Sequence, residues 1–285
     1  MSVGEAEFSV HLQGTKQLRQ SRKRWRLVSK ATRQLNQISA FLCLLARTTS
    51  FQKPAVPWTD SCIEEMDDDF GLESRPGSCY EYMYGITPGL AACIQETCRL
   101  GEYLSLYDVG SEDIPDTLLL ACEALGNRLL SWTFESEDVY STVTPDEVTR
   151  DIFESHAKAW QTAALIFYSR RIQHCCTKDV SRQAACVAEH MHAVEDAKAR
   201  LGSKHTGQMA PITWPAFIAS CESTDRETWR EWWQRVQHYG IANIQMQWGI
   251  VQHVWQRCDE NHLLGLEDVS WVDVVREMNV SILPI

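Results

Sequence analysis

The sequence predicts an all-α protein, a multi-helix antiparallel bundle or an array of helical hairpins with few or no strands. Three observations carry this. Apolar residues recur at helical spacing through most of the chain, and capping residues with first-turn prolines punctuate those stretches. Period-two alternation bounded by turn residues is almost absent.

The first helical stripe is Leu18, Trp25, Val28, Leu35, Ile38 and Leu42, running through a basic stretch. Eight bases and no acid lie between Lys16 and Arg33. The cluster Ser21-Arg-Lys-Arg-Trp-Arg26 has the composition of a nuclear-import signal, but the stripe favours a solvated helix face. Residues 51–80 break the pattern. Between Asp60 and Glu73 there are seven acids and no base, with Pro, Gly and Ser around them, which predicts an acidic loop. Interleaved Trp58, Met66, Phe70 and Leu72 also give it the look of an activation segment.

Thr87-Pro88 caps a helix over Leu90 to Leu106. Thr144-Pro-Asp-Glu147 is a capping box for a long run ending near Cys176, with Ile152, Trp160, Ala164, Phe167 and Ile172 as its stripe. Val180, Ala184, Val187, Met191, Val194 and Leu201 continue the period until Gly202, and residues 202–211 form a linker. Seven of the eleven tryptophans then fall between Trp214 and Trp271. Thr224-Asp-Arg-Glu227 is a second capping box, before Trp229, Trp232, Trp233 and Val236 at i, i+3, i+4 and i+7. Gly240 ends that helix. Ile241, Ile244, Trp248, Val251, Val254, Trp255 and Cys258 form the next stripe, and Trp271, Val274, Val275 and Met278 the last. Indoles bury much apolar area but need partners for their N–H groups, so this block is a densely packed scaffold.

With 285 residues, 44% of them hydrophobic, the chain can bury a full core as one domain over 1–285 or as two packed helical halves. A net charge of −11 argues against a chain that coats nucleic acid. Eleven cysteines at irregular spacings, one adjacent pair at Cys175-Cys176, predict reduced thiols and an intracellular protein. The apolar run Ile38 to Ala46 begins too late for a secretory signal, and no stretch approaches the roughly 20 apolar residues of a membrane span. The sequon Asn279-Val-Ser281 is therefore accidental.

No C-x2-C pair of a zinc site occurs. Cys186 and His190 share a helix face and could join His174-Cys175-Cys176, but buried cysteine is the commoner reading. Asp67-Asp-Asp69 invites comparison with the metal motif of terpene synthases, yet position 71 is Gly and the turn-rich setting predicts a solvated loop. There is no G-x-S-x-G elbow, no phosphate loop and no G-x-G-x-x-G. Catalytic residues, metal ligands and a cofactor are therefore not assigned. A rival expectation is a helical enzyme or ligand-binding protein, with His156, His190, His192 and His253 facing a pocket between helices.

Thr213-Trp-Pro-Ala-Phe-Ile-Ala-Ser-Cys-Glu222 resembles the most recognisable helix of the fungal-specific transcription factor domain, the helical regulatory region of fungal binuclear zinc-cluster regulators. Trp214, Pro215, Cys221, Glu222, Arg226, Trp229, Trp233, Gly240, Asn243, Trp255 and Asp259 match that family's motif, and Trp232 and Val254 its offsets. Tyr84-Gly-Ile-Thr-Pro-Gly-Leu90 and the run Ala157 to Arg171 resemble earlier family helices. Val10-His-Leu-Gln-Gly14 and the ending Ile282-Leu-Pro284 are similar to its arginine-metabolism regulator branch. The resemblance implies a nuclear regulator of transcription, acting through other transcription proteins, a homodimer partner or a small-molecule effector. The family's zinc cluster is missing, so the chain is expected to bind neither zinc nor DNA through that module. A truncated gene model, a divergent paralogue and a regulator acting only through partners all fit.

Overall fold

A computed structural model describes residues 10–15, 17–18, 21, 29–50, 53–60, 62, 83–108, 110–137, 147–201, 211–264, 269–278 and 282–285. The described residues contain helices and connections and no strand. In order they are α1 (Lys30–Thr49), α2 (Pro88–Leu104), α3 (Asp116–Ser131), a short 3-10 turn (Phe134–Ser136), α4 (Glu147–Arg171), α5 (Thr177–Leu201), α6 (Trp214–Cys221), α7 (Arg226–Gln237), α8 (Ala242–Leu263) and α9 (Trp271–Met278).

The α4–α5 hairpin is the frame. Each helix has 25 residues, the turn between them is short, and their mutual contact is the most extensive in the molecule. The turn closes with a bond from Cys175 N–H to the Ser169 carbonyl, 3.1 Å, and His174 takes the left-handed conformation at φ 52°. The predicted stripes Ile152–Ile172 and Val180–Leu201 lie buried along this hairpin, except that Leu201 at the end is only half-buried. On it lies α6, only eight residues long and buried at every one of them, touching both long helices. Helix α8 packs on α6, α7 packs on α5 and α8, and α2 connects α4 to α1 and α3.

Indole N–H groups tie this core together. Trp160 and Trp214 stack with centroids 5.0 Å apart, and Phe41 and Phe167 pack on them edge-on. The Trp160 indole donates to the Tyr84 carbonyl at 2.8 Å and that of Trp214 to Thr48 Oγ1 at 3.0 Å, so α1, α4, α6 and the lead-in to α2 share one aromatic centre. The C-terminal residues close the other side. Thr49 Oγ1 donates to the Ile282 carbonyl at 2.8 Å, and Asn243 Nδ2 to the Leu283 carbonyl at 2.6 Å.

Several local expectations need correction. Helix α1 buries Phe41, Leu44, Leu45 and Thr48, while Leu18 and Leu35 of the expected stripe are 48% and 66% exposed. The N-cap of α7 is Asp225 rather than Thr224, because the Asp225 carboxylate accepts from both Thr228 N and Thr228 Oγ1. Met278 at the end of α9 is exposed, not part of the buried stripe. Helix α3 carries no capping signal in the sequence; its N-cap is Pro115 and makes no side-chain cap bond. Most of the acidic loop 51–80, with Asp67–Asp69, lies outside the described residues, as do 202–210, Arg22–Arg26 and the box Thr144–Asp146. Of the acidic segment, Trp58 is buried and donates to Thr117 Oγ1 at 3.0 Å.

Trp214→Ala is expected to cost about 3 to 5 kcal/mol of stability, as large-to-small changes in filled cores do. Leu120→Ala, at a 63% exposed position of α3, should stay within about 0.5 kcal/mol. Denaturant unfolding of both variants checks the pair; equal losses would contradict the packing described.

Candidate functional site

Pro215 in the first turn starts α6, and the helix ends at Cys221, which leaves Glu222 inside the core with no exposed surface. A buried carboxylate is tolerated only when its charge and lone pairs are met. Arg170 Nε donates to Glu222 Oε1 at 2.8 Å, and Thr177 Oγ1 donates to Oε2 at 2.9 Å. The same guanidinium donates through Nη1 to the Cys175 carbonyl and through Nη2 to the Val269 carbonyl at 3.3 Å. One ion pair thus joins the end of α4, the start of α5, the end of α6 and the approach to α9.

Ser220, one residue earlier, gathers the tryptophans. Its carbonyl accepts from Trp255 Nε1 at 2.7 Å and its hydroxyl from Trp233 Nε1 at 3.3 Å. Trp229, Trp232, Trp233, Trp248 and Trp255 follow one another in ring contact, each pair 5.1 to 6.1 Å between centroids. Arg226 completes the rim. It donates to Asp259 Oδ2 at 2.7 Å and to the Trp255 carbonyl at 3.2 Å, with its guanidinium 5.5 Å from the Trp255 ring centroid. The hydrogen bond from Arg226 holds the Asp259 carboxyl below the usual range despite its exposure. Gly240, at φ 68°, turns the chain from α7 into α8, a conformation that side chains disfavour.

Of the sequence-singled residues, Trp214, Pro215, Cys221, Glu222, Trp229, Trp233 and Trp255 are therefore internal. Arg226 and Asp259 form a partly exposed clasp between α7 and α8, and Asn243 holds the C-terminal residues. Sequence reasoning missed Arg170, Thr177 and Ser220. Arg170 looks like an ordinary basic residue in the last turn of a helix, and its partner is 52 positions away.

Two cavities flank this node. One, about 590 Å³, lies over Trp255, Cys221 and Cys258; the other, about 580 Å³, lies where α4 ends and α9 begins. The four histidines have separate surroundings. His156 is buried under Gly85 with no partner for Nε2, and His190 borders a smaller hollow beside Lys158 and Glu154. His192 Nε2 lies 3.2 Å from the Thr228 carbonyl, and His253 is partly exposed on α8. Among the described residues no three His, Cys, Asp or Glu side chains are arranged to hold a metal ion, so Cys186, His190 and His174–Cys176 do not assemble. Burial pushes the Cys93 and Cys122 thiols up to about 11 and that of Cys98 up to about 12, leaving them protonated small hydrophobes. No helix among the described residues is long and apolar enough to cross a membrane.

Two predictions arise from these buried charges. Arg170→Met strands Glu222 and should cost about 3 to 5 kcal/mol, whereas the double variant Arg170→Met/Glu222→Gln should recover a large part of it. A double-mutant cycle in denaturant measures the coupling; simple additivity would refute it. Burial, and then the Lys198 ammonium, hold His156 down to about 3 from 6.5. The unfolded chain therefore takes up this proton before the folded one does. Stability falls as pH drops below about 6.5, with a slope of up to about 1.4 kcal/mol per pH unit from this group. His156→Gln should flatten that limb in stability measured between pH 7 and 5.

Comparison with known proteins follows the same lines. The family described as the fungal specific transcription factor domain matches residues 1–285. "Arginine metabolism regulation protein II" of Saccharomyces cerevisiae is 18% identical over 211 residues, covering 70% of this chain and 23% of that protein. The chain thus spans about a quarter of the length of that curated relative. No solved structure matches. With the family match extending over every residue, the chain belongs to the fungal specific transcription factor domain family, and its role is in transcription regulation.

Proposed function

We propose that this chain is the regulatory domain of a zinc-cluster-type regulator of RNA polymerase II transcription, nuclear, acting by protein interaction and without catalysis. Its partners are other transcription proteins, a second copy of the chain being one candidate, and its pathway is amino-acid metabolism, with arginine first, or secondary metabolism. The family match over residues 1–285 carries this proposal. Arginine metabolism is suggested by the name of the yeast relative and by the similarity of Val10–Gly14 and Ile282–Pro284. Interaction rather than catalysis is supported by the filled packing around Trp214 and Trp233 and by the separate surroundings of the histidines. The net charge of −11 favours contact with DNA through another module or a partner. The motif residues from Trp214 to Asp259 serve as the internal scaffold of this regulatory domain, and the cavities beside it are places for a small-molecule effector.

The test tethers the chain to a heterologous DNA-binding module upstream of a reporter gene in yeast. The expected result is a several-fold change in transcription that Trp214→Ala abolishes. An unchanged reporter, with the fusion abundant in the nucleus, would overturn the proposal; turnover of a substrate by the purified protein would overturn its non-catalytic part.

A further inference from the structure

The cavity at the end of α4 has a chemistry that the scaffold does not require. Its wall contains Arg170 and Arg171 from the last turn of α4, His174 from the following turn, and Arg276 from α9. Asp273 is the acid in that wall. The first turn of α9 also borders it. Ser270 caps that turn, with its hydroxyl accepting from Val272 N at 3.3 Å, so the positive end of the helix lies at the same mouth. Three guanidiniums, an imidazole and a helix start therefore border one cavity open to solvent.

Arrangement and room both suit a ligand. Arg171 runs over Gly101, where an added Cβ would stand 2.6 Å from its Cγ and 2.8 Å from its Nε; only glycine leaves it that path. Burial, opposed by Glu102 and reinforced by Arg276 and Arg47, lowers the pKa of Arg171, so like charges crowd here. The arginines are engaged within the protein: Arg170 with Glu222, Arg276 with Asp273 at 3.1 Å, and nearby Arg47 with both oxygens of Glu102. The wall nonetheless sets three guanidiniums against one carboxylate, Asp273, so its field favours an anion. At about 580 Å³ the cavity falls in the size range of small-molecule sites.

We infer that the cavity between the end of α4 and the start of α9 binds a small organic polyanion, a di- or tricarboxylate or a phosphorylated metabolite, with Arg171 and Arg276 as its anion contacts. As an effector site this rests on the proposed regulatory function; as a binding site it stands independently.

Calorimetric titration of the purified chain uses citrate and, separately, inorganic phosphate, each against sodium chloride at equal ionic strength. Saturable binding of at least one probe, absent with chloride, is expected. Arg276 is 59% exposed, so Arg276→Gln should fold and melt as the wild type does while binding about tenfold or more weakly, equivalent to about 1.4 kcal/mol. Arg171→Lys should weaken binding as well. Citrate alone binding identifies a carboxylate site, and phosphate binding identifies a phosphoryl site. Heats matched by chloride, or a folded Arg276→Gln that binds as tightly as wild type, would overturn the inference. Binding with a silent tethered reporter would refute the regulatory proposal and leave the site in place.

Discussion

A carboxylate with no exposed surface, Glu222, sets the terms for the C-terminal half of this protein. The buried ion pair with Arg170 adds little net stability compared with a well-packed apolar replacement. What it supplies is position. Arg170 must reach from α4 across the start of α5, and it also donates to the Cys175 and Val269 carbonyls. The end of α6 can then occupy one place only, and Ser220 and Cys221 are fixed with it.

From that fixed point the tryptophans acquire order. The Ser220 carbonyl and hydroxyl each take an indole N–H, which orients Trp255 from α8 and Trp233 from α7, and Trp248 stacks against Trp233. Large rings fill volume cheaply, but without directional bonds they admit several packings of similar energy. Here the directional bonds come from a serine between the apolar helix and the charged node. The second aromatic centre, Trp160 on Trp214, is held in the same manner by Tyr84 and Thr48. Ser220, Thr48 and the Tyr84 carbonyl thus choose among arrangements of four large rings, Trp160, Trp214, Trp233 and Trp255.

Much of this was legible in the sequence wherever the signal is local. The spacing of Trp229, Trp232, Trp233 and Val236 fixes one helix face, and Thr87-Pro88 and Gly240 mark real boundaries. Legibility fails where the deciding partner is distant. Nothing near Arg170 announces Glu222, and nothing near Leu35 says that α1 presents Phe41 and Leu44 to the core instead. Helix α3 starts at Pro115 without a side-chain cap, so its beginning carries no polar signature. The two cavities were invisible as well, since their walls come from helix ends that only tertiary packing brings together.

The contact between Thr49 and Ile282 has a consequence for synthesis. The hydroxyl that ends α1 donates to a carbonyl 233 positions later, and Asn243 waits for the neighbouring carbonyl of Leu283. Ribosomes add roughly 5 to 20 residues per second, so about 10 to 50 seconds separate the appearance of the two partners. During that interval the α4–α5 hairpin can form, because its contacts are local. The side of the core closed by Ile282 and Leu283 stays open until those residues have left the exit tunnel. Nascent chains of this protein therefore leave the end of α1 beside Thr49 uncovered for most of their translation, and that surface is where a chaperone would bind them.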